Sequence, residues 1–242
     1  MSREVAADGL HNVRDLGGLP TARAAAGLTS YGVVVRAPRR ELLTARGWEQ
    51  LRAYGVRAVV DLRNDDERGP RPGDPDPPSR PGAGVTVRHR PTEDPAHAEF
   101  VRVCGPILDR PAYWGHNLRL LPHLVADALS AVARSEGAVL LHCSAGRDRT
   151  GMLSALLLAH AGVAPEVVAD DWELSVRAML RRPPWSGAED HLTTLAPDAL
   201  EAWVARGRRE VVALVDRDVD ALLATVGIAA RDRRSLRDRL TG

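Results

Sequence analysis

Apolar positions along the chain alternate between short β-branched runs and stretches with a helical period, a pattern that predicts strands and helices in succession. The first run is Val33-Val34-Val35. A helix follows, with Thr44 as N-cap, Trp48, Leu51 and Tyr54 on one side, and Gly55 where a C-terminal stop belongs. A second strand over 58–62 completes a βαβ-like unit, and a short strand resumes at 85–90. Leu121, Leu124, Val125, Ala128, Leu129 and Val132 share one face of an amphipathic helix. Gly137 closes it, and 138–141 then reads as a strand buried on both sides.

After that strand come ten residues, HCSAGRDRTG, and an apolar helix from about Thr150 to Gly162. Pro165 suits the first position of the next helix, which runs through Val168 and Trp172. Helical spacing continues through Val204, Val211 and Val215, then Val219, Leu222, Leu223 and Val226, and ends in a charged helix. The expected fold is α/β, with a mainly parallel sheet flanked by helices and a helical covering segment after residue 163. Residues 64–84 are too rich in proline, glycine and charge for regular structure, so an exposed, mobile loop is expected there. The length of 242 residues fits one domain over 1–242 with a mostly helical part at 163–242.

Composition removes several alternatives. A net charge of +1 gives no general case for nucleic acid or an anionic membrane, so anion binding must be local. All 33 basic residues are arginine, which excludes a Walker-type nucleotide loop and Schiff-base chemistry. Cys104 and Cys143 are the two cysteines, with no CxxC, so a reducing cytoplasm is the expected location. The first residues lack an apolar signal core, and no run reaches the length of a membrane span. Secretion by a route without a signal peptide stays open.

The chemistry is concentrated in 142–151. A cysteine and an arginine stand at the two ends of a short loop between a strand and a helix. Such a loop turns its N–H groups inward over a helix N-terminus, which favours a phosphate dianion. Arg149 can grip two phosphate oxygens with its planar fork. The same positive surroundings activate Cys143 as a thiolate, which would attack phosphorus in line and form a phosphocysteine intermediate. Ser144, Ala145, Gly146, Arg147 and Arg149 would cradle the phosphate. Asp148 is the first candidate for the acid that protonates the leaving oxygen, with Asp61, at a strand end on the same sheet edge, as the alternative. Thr150 could donate to the sulfur as it departs.

HCSAGRDRTG resembles the signature loop of the protein tyrosine phosphatase superfamily, Cys-x5-Arg followed by Ser or Thr. It is similar to the atypical bacterial tyrosine and lipid phosphatases, whose loop reads HCxxGKDRTG. Asn12-Val13-Arg14-Asp15-Leu16-Gly17-Gly18 resembles their RDLGG element, Val59-Val60-Asp61-Leu62-Arg63 their DLR strand end, and Asp171-Trp172-Glu173-Leu174-Ser175 their DYxxS helix. The resemblance covers most of the chain. It implies a three-layer phosphatase fold acting on phosphotyrosine, sometimes phosphoserine, phosphothreonine or phosphoinositides, with Asp148 as acid and no cofactor. The expected partner is therefore a phosphorylated protein or a phosphoinositide. Arg147 replaces the family's loop lysine, and Arg36-Ala37-Pro38-Arg39 departs from its RSxxL, so the substrate rim differs.

Blander readings accompany several residues. Asp148 could be a loop acid paired with Arg147. Asp61 could fix loop geometry through Arg14 or Arg63, and His142 reads as a structural hydrogen-bonding residue that tunes the sulfur. Asp15, Gly17 and Gly18 fit a tight turn with a capping aspartate as well as a flap over the loop. Asp170 and Asp171 read as part of an exposed helix turn, although Asp171 could anchor that turn to the loop, and Cys104 has no assigned role. Arg147, Arg181 and Arg182 together would suit a polyphosphorylated head group. Asp74-Pro75-Asp76 mimics an aspartate-nucleophile motif and is rejected for its proline-rich setting; Asp216, Asp218 and Asp220 fail as a calcium loop because Ala221 replaces the required glycine. No metal is implied. A non-catalytic phosphate-binding module and a sulfurtransferase remain the rivals from other classes.

Overall fold

The computed structural model describes residues 2–75, 79–181 and 191–242. Its sheet contains β1 (Arg14–Asp15), β2 (Val34–Ala37), β3 (Val56–Asp61), β4 (Thr86–His89) and β5 (Ala138–His142) in the order β1-β2-β5-β3-β4. β2, β5, β3 and β4 are parallel, and β1 joins the edge of β2 antiparallel. The βαβ unit expected from sequence is present as β2, α1 (Ala45–Tyr54) and β3, but the two strands are not neighbours. β5 lies between them, with Leu140 opposite both Val35 and Val59. Every residue of β5 is buried, so the centre of the sheet is the place that its uninterrupted apolar sequence can occupy.

Alternation along these strands divides the core into two layers. Val34, Val60, Val139 and Leu141 face the larger helical side, whereas Val35, Val59 and Leu140 face Trp48 and Leu51 of α1. Thr44 caps α1 as expected, accepting from Gly47 N at 3.1 Å, and Gly55 ends it with φ of 110°. On the larger side lie α2 (Ala98–Cys104), α3 (Trp114–Leu120), α4 (Pro122–Ala133), α5 (Arg149–His160), α6 (Pro165–Leu180), α7 (Pro197–Val215), α8 (Val219–Val226) and α9 (Ala230–Thr241). α2 and α3 have no counterpart in the sequence reading, although Phe100 and Cys104, then Trp114 and Leu118, are buried at helical spacing. No helix among the described residues is long and apolar enough to cross a membrane.

The proline-rich stretch 64–84 has many exposed residues, as composition suggests, but specific contacts also anchor it. Asn64 caps a 3-10 turn over Asp65–Glu67 that carries Glu67 inward. Asp74 pairs with Arg39, whose Nη1 donates to Oδ2 at 2.7 Å, and both side chains are almost wholly buried. Ser79 donates to the carbonyl of Leu43. Side-chain bonds that composition cannot register thus tie the segment down at three points. Asp76 lies outside the described residues.

α7 covers α5 and α6 through one close approach. A Cβ built on Gly207 would meet Cη2 of Trp172 at 2.1 Å, so only glycine lets the indole lie flat beneath α7. Gly207→Ala tests this packing because two effects oppose each other. Helix propensity alone favours alanine by about 1 kcal/mol, while overpacking a buried contact costs about 1–3 kcal/mol. Urea unfolding of the variant is expected to show a net loss of stability.

Candidate active site

β5 ends at His142 and α5 begins at Arg149, so residues 143–148 form the connecting loop at the carboxyl edge of the parallel strands. Cys143 is 2% exposed, and the amide of Gly146 donates to its Sγ at 3.3 Å. Gly146 has φ of 71°, and a Cβ there would come within 2.6 Å of the Ala37 carbonyl. The loop is held from outside at several carbonyls. Arg39 N donates to Ser144 O at 3.0 Å, Arg36 Nη2 to Gly146 O at 2.8 Å, and Asn12 Nδ2 to Ala145 O at 3.3 Å. Thr150 is fully buried in the first turn of α5, and its hydroxyl has no hydrogen-bond partner among the described residues.

Behind the loop stands Asp171 of α6, buried among arginines and not on the exposed helix turn expected from sequence. It is 2% exposed and pairs with Arg3, Arg14 and Arg36, with Arg14 Nε at 2.9 Å. Arg14 also donates to Ser175 Oγ at 2.9 Å and to Asn12 Oδ1 at 2.7 Å. Burial alone would raise the Asp171 pKa, but Arg14, Arg36 and Arg3 overcome it and hold the carboxyl far below the usual range. Desolvation, followed by the charge of Arg14, lowers Arg36 to about 10, still charged at neutral pH. Arg14 therefore reaches the phosphate loop indirectly, through Asn12 and through the Asp171–Arg36 pair. Asp15 does not reach it. Its carboxylate accepts from Gly17 N at 2.6 Å, Gly32 N at 2.9 Å and Tyr54 Oη at 2.7 Å, the geometry of a capping aspartate in a tight turn.

Asp61 is fully buried at the end of β3, and its carboxylate accepts from Arg63 Nε at 2.9 Å and Nη2 at 2.8 Å. Burial favours the neutral acid, yet Arg63 and His142 hold Asp61 well below the ordinary carboxylate range. Arg63 continues to Glu41, with Nη2 to Oε1 at 2.8 Å. This pairing is the one expected if Asp61 fixes loop geometry through Arg63, whereas Arg14 is engaged by Asp171. Desolvation lowers His142 to about 4, so it is neutral at pH 7. Its Nε2 lies 3.6 Å from Asp61 Oδ2 and its Nδ1 3.2 Å from the Cys143 carbonyl oxygen.

Two acidic residues absent from the sequence reading meet Arg149. Glu67 accepts from both Nη1 and Nη2, the second at 2.6 Å, and also from Ser144 Oγ at 2.8 Å. Glu93, on the segment after β4, brings Oε2 to 3.5 Å from Nη1. Asn64-x-x-Glu67 is a capping box, the one local signal that could have drawn attention to Glu67. No local pattern marks Glu93. Burial opposes the charge of Arg149, but Glu67 and Glu93 outweigh it and keep the guanidinium protonated.

Arg147 and Asp148 pair with each other within the loop. Arg147 Nε donates to Asp148 Oδ1 at 3.0 Å, and the guanidinium lies 5.7 Å from the ring centroid of Trp203 on α7. Trp203 stacks on Trp172 at 5.8 Å and meets His191 edge-on. Arg181 lines a cleft of about 500 Å³ with Arg3 and Arg14, so it belongs to the back of the anchoring cluster. Arg182 lies outside the described residues.

Comparison with known proteins bears on the family of the chain. Residues 5–242 match the family described as the tyrosine phosphatase family. A Cupriavidus necator protein, provisionally named a tyrosine-protein phosphatase, is 29% identical over 177 residues, covering 67% of this chain and 59% of its own. A tyrosine-protein phosphatase of Nostoc commune is 41% identical over 51 residues, 21% of this chain and 17% of its own. The chain thus spans less than two thirds of the length of these relatives. Among solved structures, a cysteine-to-serine variant of TpbA from P. aeruginosa in complex with phosphotyrosine aligns at 19% identity and a TM-score of 0.43. That alignment covers 81% of this chain and 87% of the other. TpbA without that substitution aligns at 21% identity, a TM-score of 0.36, and 80% and 86% coverage. With a family match that spans nearly the whole sequence and includes the strand, loop and helix that carry Cys143 and Arg149, the chain belongs to the tyrosine phosphatase family.

Proposed function

We propose that the protein hydrolyses phosphomonoesters without a metal, through a phosphocysteine intermediate on Cys143, with phosphotyrosine in proteins as the first substrate class. Phosphoserine and phosphothreonine fall within the same chemistry. The observation that carries this reading is the loop floor, where the Gly146 amide points at Sγ 3.3 Å away. Attack by this sulfur on phosphorus would place the equatorial oxygens among the loop amides, with Arg149 neutralising their growing charge. Glu67 holds the terminal nitrogens of Arg149 and thereby fixes the plane of the guanidinium. A protonated carboxyl at the mouth completes the first step, and Asp148 is the donor expected from sequence.

The phosphoinositide alternative gains no support from the surroundings of the loop. Asp65, Asp66, Glu93 and Asp94 line a cleft of about 410 Å³ beside it. Carboxylates there repel the additional phosphates of an inositol head group. Arg147, the loop residue that would greet such a group, is engaged by Asp148 and Trp203.

Hydrolysis of an aryl phosphate in excess chelator, compared between the wild type and Cys143→Ser, tests the mechanism. Turnover is expected to survive chelation and to fall to background in the variant. A folded wild type without turnover would leave a phosphate-binding module as the reading. A second test concerns Glu67, whose pKa is brought to about 2, as hydrogen bonding and charge from Arg149 outweigh burial. Because the folded value lies below the ordinary one of about 4.3, its contribution to stability is present above that pH and lost as pH falls toward 2. Glu67→Gln is expected to flatten the stability-versus-pH curve in that window, as followed by urea unfolding at stepped pH.

A further inference from the structure

The arginine cluster behind the loop holds more positive charge than its carboxylate matches. Arg3, Arg14 and Arg36 share Asp171 as their ion-pair partner, so three guanidinium groups meet one carboxylate. The cluster borders the cleft of about 500 Å³, which Arg3, Arg14, Arg177 and Arg181 line with a single carboxylate, Glu4. No residue of the loop from Cys143 to Arg149 lines this cleft. It is separate from the candidate active site, with Asn12 standing between them: Asn12 lines the cleft and its Nδ2 reaches the loop carbonyls of Ala145 and Gly146.

The four lining arginines differ in what already occupies them. Arg14 gives its nitrogens to Asp171, Asn12 and Ser175. Arg177 gives Nε, Nη1 and Nη2 to Glu173 and Glu201. Arg3 uses Nε on the Asp15 carbonyl and Nη2 on Asp171, which leaves Nη1 without a hydrogen bond among the described residues. Arg181 follows the last turn of α6 and is exposed, and its side chain has no ion-pair or hydrogen-bond partner among the described residues. Beside these donors the cleft is apolar. Leu174, Ala178 and Arg181 are four and three residues apart and so share one face of α6, while Leu10 and Val13 contribute from the N-terminal segment. Leu174 is 49% exposed, so no part of the described chain covers the apolar floor.

We propose that this cleft is a second binding site, distinct from the phosphate loop, for a small monocarboxylate with an apolar body. Arg181 and the uncommitted Nη1 of Arg3 hold the carboxylate, and the body lies against Leu174, Ala178, Leu10 and Val13. A planar guanidinium matches a carboxylate through parallel N–H bonds, which favours this head group over a neutral one. Two available donor groups facing one opposing carboxylate, Glu4, suit a single negative charge better than a dianion. The site goes beyond the phosphatase reading and does not depend on it, because no step of the reaction is invoked.

The test is titration calorimetry of the full chain at neutral pH with octanoate as the probe, and with octanol as the same body without the charge. Wild type, Arg181→Ala and Leu174→Ser are compared; both substituted side chains are exposed, so the fold tolerates their loss. Octanoate is expected to bind the wild type, and Arg181→Ala to weaken it about tenfold, the usual worth of a hydrogen bond to a charged group. Leu174→Ser is expected to weaken it about fivefold through lost apolar burial, and octanol to bind the wild type about tenfold more weakly than octanoate. Absence of octanoate binding to the wild type overturns the proposal. So does an affinity that Arg181→Ala leaves unchanged, as binding inside the phosphate loop would give. Equal affinity for octanol and octanoate overturns it as well, since the cleft would then be an apolar crevice with no anion site. Binding alone is read, so a chain that hydrolyses no ester can still pass this test, and an active phosphatase can fail it.

Discussion

The candidate active site depends on one buried carboxylate that never touches it. Asp171 draws Arg3, Arg14 and Arg36 into a single charged cluster, and Arg36 passes the constraint to the Gly146 carbonyl. Removing Asp171 would leave the buried Arg14 and Arg36 without their counter-ion in a dry interior, where an unpaired ion costs several kcal/mol. The cluster therefore acts as a unit. It joins the N-terminal segment, β1, β2 and α6 to the loop, and the amide of Gly146 keeps its aim at sulfur because the carbonyl of the same residue is tied down.

A second constraint operates at the other end of the loop. Arg149 has to present its guanidinium in one orientation, and Glu67 sets it by bonding both terminal nitrogens. Glu67 reaches that position because Asn64 and the Asp74–Arg39 pair fold the proline-rich stretch back onto the domain. The segment that looks least organised in sequence thus contributes one of the most specific contacts of the site. Arginine throughout the chain suits both constraints, since each requires a planar fork that lysine lacks.

What the sequence made legible follows chain distance. The β5–loop–α5 unit is contiguous, so the juxtaposition of Cys143, Gly146 and Arg149 could be read directly. Asp61 and Arg63 are two residues apart, and their pairing was among the readings considered. The insertion of β5 between β2 and β3 could not be read, because strand order is set by which face each strand must bury. Glu93 stands 50 positions before Cys143, and nothing nearby in sequence marks it; only the parallel sheet brings it to the same edge. The buried roles of α2 and α3 also depend on partners elsewhere, although Phe100, Cys104, Trp114 and Leu118 carry a helical spacing.

Trp203 gives the covering helix α7 a direct connection to the phosphate loop, through the Arg147 guanidinium above its ring. Indole emission responds to a cation near the ring and to stacked neighbours such as Trp172. The molecule therefore carries an intrinsic optical probe beside the loop of its candidate active site. Movement of Arg147 when an anion enters the loop would be written into the fluorescence of the protein, without any added label.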